Sequence, residues 1–178
     1  MKCLYRIRSY IEERQSKLIY NAFILSAFSY CPLMWMFCNK TSYKRINSVQ
    51  KRALRAIYNK NDFSLDELLK LDNSDKIHLL NIRSLLQEIY KTFHDMNPSF
   101  MKDFFHVKQV PYNLRTSNVL VLPSSNTYKY GIYSTFFRGS LLWNLLPDNI
   151  KQASNLNVFK NKLKNWKDNL KCSCRICS

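Results

Sequence analysis

Apolar residues at helical spacing open the chain: Leu4, Ile7 and Ile11 stand among charged neighbours and predict a helix over residues 1–14. Residues 18–39 contain no charge, and Lys17 and Lys40 bracket them. That run is just long enough to span a bilayer. Asn21, Ser26, Ser29, Tyr30 and Asn39 suit lipid poorly, and Pro32 splits the run. Proline disfavours α geometry at Cys31 and fits the first turn of a new helix, so two buried helices at an angle are expected, over 18–29 and 32–37. Residues 41–58, TSYKRINSVQKRALRAIY, carry the clearest pattern. With Thr41 or Ser42 as cap, Ile46, Val49, Gln50, Ala53, Leu54, Ala56 and Ile57 share one side of a helix. Lys44, Lys51 and Arg55 gather opposite, with Arg45 and Arg52 on the shoulder.

Further along, Ser64 is expected to cap a helix over 65–71, with Asp66 and Glu67 favoured by the dipole of its first turn. Ser74 is expected to cap the next, to about Met96, striped by Ile77, Leu80, Ile82, Leu85, Leu86, Ile89, Tyr90 and Phe93. A brief helical turn follows Pro98 through Phe105. The polar stretch after His106, with Pro111, predicts a boundary. Residues 119–122 then read as a short strand, paired with 128–137, and residues 140–146 as a helix stopped by Pro147. A last helix over 155–168 turns Leu156, Phe159, Leu163 and Trp166 inward and Lys160, Lys162, Lys164 and Lys167 mostly elsewhere. The predicted fold is mainly α: a helical bundle over 1–105, then over 106–178 a small mixed α/β module with a basic, cysteine-bearing tail.

A net charge of +16 on 178 residues implies an anionic partner, with nucleic acid first and an anionic membrane surface second. Eight of the twelve acids lie in residues 60–103, leaving the surplus to the 41–58 helix and to the tail from Lys160. No acid lies between Lys40 and Asn61, so the basic face there suits a polyanion; a merely solvated face is the alternative. The charged start, MKCLYRIRSYIEER, lacks the apolar core of a signal peptide. With Cys3, Cys31 and Cys38 in apolar surroundings, a reducing location in nucleus or cytoplasm is expected, not secretion.

No catalytic constellation emerges. Glu12–Glu13 and Asp66–Glu67 diverge on helices, and His78, His94 and His106 have no partner at a useful spacing. Two isolated glycines build neither a nucleophile elbow nor a phosphate loop. Cys172, Cys174 and Cys177 place three thiols within six positions and suit zinc, though a fourth ligand is not nearby and a reduced tail is the alternative. The aromatic and basic residues of 112–138 suit either base stacking or core packing.

The blocks YCPLMWMFC (30–38), QKRALRAIY (50–58), YGIYS (130–134), LLWNLLPDNIK (141–151) and CSCRIC (172–177), in this order, closely resemble the C-terminal part of reverse transcriptases from non-LTR retrotransposons, the jockey-like and related LINE-type elements. The resemblance implies a thumb-like bundle that grips a template–primer duplex, followed by an extension. In that family the RNA-directed DNA polymerase chemistry belongs to paired metal-binding aspartates of the palm. This sequence contains no Asp-Asp pair, so a fragment without fingers and palm, not an enzyme on its own, is expected. The resemblance favours nucleic-acid contact, to an RNA–DNA duplex or RNA, for Lys44, Arg45, Lys51, Arg52 and Arg55, with Lys160, Lys164 and Lys167 as further candidates. The palm of an intact relative is an implied partner. No membrane is expected among the partners; a membrane-associated basic protein using residues 18–39 and an inert transposon remnant are the competing expectations.

Overall fold

The computed structural model describes residues 2–108, 119–127 and 131–166. The chain gathers into two compact units, Met1–Asn81 and Ile82–Ser178. Among the described residues it is mainly helical, as the periodicity implies.

In the first unit, α1 (Lys2–Ile7) stops early and α2 (Glu13–Ile19) starts afresh, so the helix expected over 1–14 is two. Glu12 supplies the reason: it forms a reciprocal capping pair with Gln15, whose Oε1 accepts from the Glu12 N–H at 3.1 Å. α2 continues through a π-helical segment, Tyr20–Leu25, into α3 (Ser26–Ser29). α4 (Pro32–Trp35) follows, with Cys31 left-handed at φ 44°. The break before Pro32 is where the sequence puts it. The burial is not. Leu18, Phe23, Tyr30 and Met34 are 61%, 75%, 76% and 86% exposed, and of residues 18–39 only Tyr20 and Met36 are buried. Cys31 is likewise exposed and Cys38 half-buried. An uncharged run reads as interior, yet only one side of this one has a neighbour to pack against. No described helix is long and apolar enough to cross a membrane.

Next come α5 (Lys40–Tyr58), α6 (Leu65–Asp72) and α7 (Ile77–Phe93). Ser64 caps α6 as expected: its hydroxyl accepts from the Glu67 N–H at 3.3 Å, and the Glu67 carboxylate accepts from the Ser64 N–H at 2.7 Å. α7 starts at Ile77, three residues past the expected Ser74 cap. Leu4, Tyr20, Ala53, Leu54, Ala56, Ile57, Leu68 and Leu69 form the core of the unit.

The second unit is built on the later part of α7, so residues 82–105, expected with the first bundle, fall in this unit instead. A stripe of apolar residues does not say which neighbour will cover it. After a 3-10 turn (Ser99–Phe104) come α8 (Thr135–Asn144), α9 (Asp148–Lys151) and α10 (Leu156–Asn165). α8 crosses α7 at Gly139, where a Cβ would meet Ile89 Cδ1 at 3.1 Å. Tyr90 stacks on Phe159 with centroids 4.4 Å apart and donates to the Ala153 carbonyl at 2.7 Å. The expected strand pair is absent from the described residues. Val107 and Leu120 make a single antiparallel bridge, and the Asn144 side chain holds Leu120 by both its N–H (2.8 Å) and its carbonyl (2.9 Å). Residues 135–137 are helical because Ser134 caps α8, its hydroxyl accepting from the Phe137 N–H at 3.2 Å. β propensity yields to a good cap and a buried helical face. Residues 128–130 lie outside the described residues.

Asp72, at the end of α6, ties the first unit together. Its nearly buried carboxylate takes the Lys17 ammonium at 2.6 Å and a short hydrogen bond from the Tyr58 hydroxyl. Burial acts to raise this carboxyl, but the donors outweigh it and hold the group below its ordinary value. Burial and the bond to Asp72 push the Tyr58 hydroxyl up. A depressed carboxyl contributes stability that is present above about pH 4 and is lost as pH falls through the lower folded value. Urea melts from pH 2 to 7 are therefore expected to show a shallower acid limb for Asp72→Asn than for the native chain. Some slope is expected to remain from Glu67, whose carboxyl the Ser64 cap also lowers.

Candidate nucleic-acid interface

α5 begins two or three residues before the sequence pattern suggests. Asn39, not Thr41 or Ser42, is the cap, its Oδ1 accepting from the Ser42 N–H at 2.8 Å. Asn caps as well as Ser, and the earlier start adds Lys40 to the first turn. The helix ends at Asn59, left-handed at φ 51°. Gln50, Ala53, Leu54, Ala56 and Ile57 are buried, and α5 packs against α1, α2 and α6. Gln50 meets its polar needs at the turn into α7: its Nε2 donates to the Asp75 carbonyl at 3.0 Å and its Oε1 accepts from the Ile77 N–H at 3.4 Å. A buried amide with both ends satisfied fixes the helix's rotation, and with it the direction its cations face.

On the other side Lys44, Arg45 and Arg52 are exposed and Lys51 half-buried. Among the described residues none of the four forms an ion pair. Seven residues separate Lys44 from Lys51, a rise of about 10 Å along the helix. Arg52, although exposed, donates from Nε to the Ser48 carbonyl at 3.3 Å, a bond that does not engage its terminal nitrogens. The Tyr5 hydroxyl donates to the Arg52 carbonyl at 3.2 Å, tying α1 to α5, and the guanidinium of Arg8, one residue past α1, lies 5.1 Å over the Tyr5 ring. Lys51 also adds to the field on Glu67, after the Ser64 hydrogen bonds, and is the least independent of the set.

Arg55 is placed differently. Helical angle puts it on the open face, but its Nε and Nη2 donate to the Phe63 carbonyl at 3.2 and 2.9 Å. It clasps the loop leading to α6, and its fork is largely occupied. Lys160 and Lys164 are exposed on α10, in the second unit, while Phe159 and Leu163 of that helix are buried. Lys167 lies outside the described residues, as do the zinc candidates Cys172, Cys174 and Cys177. Among the described residues no three His, Cys, Asp or Glu gather to hold a metal.

Sequence reasoning missed the buried cations of the second unit. Arg83, Arg138 and Lys151 are 7%, 6% and 3% exposed. Burial lowers the Lys151 ammonium, and Asp148, 3.8 Å away, opposes that. His78 is buried with its ring edge-on to Tyr43 and Phe37. A cavity of about 240 Å³ beside the π-helical segment is lined by Lys17, Tyr20, Gln50 and Asp72 among others. Burial pushes its Tyr20 hydroxyl up to about 12. Lys17 and Gln50 are already engaged with Asp72, Asp75 and Ile77, so the cavity wall serves the fold. None of these features is written in local sequence, because each depends on which segments meet.

Arg55→Lys, which removes the fork but keeps the charge, is expected to destabilise the chain by about 1 kcal/mol in urea melts and to leave polyanion binding within about twofold. No protein-family model, curated protein or solved structure matches the chain.

Proposed function

We propose that this chain binds the sugar–phosphate backbone of an RNA–DNA duplex or RNA without reading sequence, in the gripping role that the thumb has in LINE-type reverse transcriptases. The observation that carries the reading is the outward ridge Lys44, Arg45, Lys51 and Arg52, with no ion-pair partner among the described residues and a rigid, buried back. Backbone phosphates release condensed counterions when they meet such cations, and that release is the driving term. The resemblance of five sequence blocks to those polymerases supplies the choice of nucleic acid over other polyanions. Positioning on phosphate, without groove readout, fits a helix whose open side offers cations and few amides.

The reading makes the chain a binding element, not an enzyme on its own. The tail cysteines Cys172, Cys174 and Cys177 remain candidates for zinc, with thiolates as the ligating groups. Lys44→Glu, Arg45→Glu and Arg52→Glu together are expected to weaken binding to an RNA–DNA hybrid at least about tenfold at low salt. The slope of log K against log salt is expected to flatten by about three, with helix content by circular dichroism unchanged. Fluorescence anisotropy across a salt series checks both; native-like affinity and slope in the triple variant would reject the ridge as the contact.

A further inference from the structure

Ser48 carries no charge, yet it stands at the centre of the cationic ridge. On a helix the nearest surface neighbours of a residue lie three and four positions away on either side, with about 5–6 Å between Cβ atoms. For Ser48 those neighbours are Lys44, Arg45, Lys51 and Arg52, and no other residue of α5 has cations at all four positions. The fields of the four add over the residue they surround. An anion held above Ser48 therefore relieves their mutual repulsion at a single point.

Two observations on Ser48 itself point the same way. The first is its hydroxyl. A serine inside a helix can close its hydroxyl on the carbonyl four residues earlier. Ser26 does so to the Ala22 carbonyl, and Ser29 to the Leu25 carbonyl at 3.0 Å. Ser48 is exposed, and among the described residues its hydroxyl makes no such bond. Serine is also a poorer helix former than alanine or lysine, so helix stability does not account for its place here. The second observation is Arg52. Its Nε donates to the Ser48 carbonyl at 3.3 Å, which pins the guanidinium on the turn that begins at Ser48.

We infer, resting on the reading of the ridge as a nucleic-acid contact, that Ser48 is the seat of one backbone phosphate. Its hydroxyl donates to a non-bridging oxygen, and Lys44, Arg45, Lys51 and Arg52 close around the group. Serine hydroxyls beside Arg and Lys are regular phosphate partners, and a hydrogen bond to an ionised acceptor is stronger than one to a neutral group. The seat gives the ridge a register on the strand that cations alone do not supply.

Fluorescence anisotropy of the full chain with an RNA–DNA hybrid, across a salt series, tests it. Ser48→Ala is expected to weaken binding about fivefold. The salt slope is expected to stay native, because no cation is lost. The melting temperature is expected to hold or rise, because alanine favours the helix. Ser48→Thr, which keeps the hydroxyl, is expected to bind within about twofold of the native chain. Native affinity in Ser48→Ala overturns the seat and leaves the ridge standing, since the ridge is judged separately by the triple glutamate variant. A loss in Ser48→Ala that comes with a lower melting temperature, or that Ser48→Thr shares in full, makes the effect one of packing and overturns the seat as well.

Discussion

α5 carries Lys40, Lys44, Arg45, Lys51, Arg52 and Arg55 without one acidic residue, and it stays a helix because its other side is buried. Lys51 and Arg55 are four residues apart, a like-charge pair that costs an isolated helix a few tenths of a kcal/mol. Full burial of Leu54 and near-full burial of Ile57 contribute about 1.5–3 kcal/mol each. Packing wins by a wide margin. Gln50 converts that burial into a fixed rotation, since its amide reaches both the Asp75 carbonyl and the Ile77 N–H only in one setting of the helix. The direction of the cationic ridge is therefore a consequence of the core.

Charge in this chain divides by where it sits. Arg55 and Lys17 are spent internally, one on the Phe63 carbonyl and the other on Asp72, so both serve the fold. Lys44, Arg45 and Arg52 are turned outward, and the self-repulsion they add is the kind of cost that an anionic partner relieves. Lys160 and Lys164 stand outward in the same way on the second unit, where Tyr90, Trp143 and Phe159 hold α10 in place. Each unit thus shows its own cations on a helix whose reverse side is packed.

Periodicity and caps were legible where both agreed. The Ser64 cap, the inward Phe159 and Leu163 of α10, and the buried side of α5 were readable from spacing alone, whereas the Glu67 half of the Ser64 box and the Asn155 cap were not read. Partners were not legible. Residues 18–39 lack charge, which suggests an interior, but the chain supplies neighbours for only one side. Residues 135–137 carry aromatic and β-branched side chains, yet the Ser134 cap and packing at Gly139 make them helical. At the candidate site, helical angle grouped Arg55 with the open cations because the loop carbonyl that captures it belongs to another segment. Side-chain capture and long-range covering are tertiary facts, and single-sequence spacing does not contain them.

Acetylation footprinting of the lysines by mass spectrometry, with and without an RNA–DNA hybrid, tests the ridge most directly. Lys44 and Lys51 are expected to lose reactivity when the hybrid is added and to regain it at high salt, while Lys70 and Lys76, on and beyond α6, stay as reactive as before. Unchanged reactivity of Lys44 and Lys51 under conditions where the hybrid is bound would contradict the account, because the phosphates would then be held elsewhere.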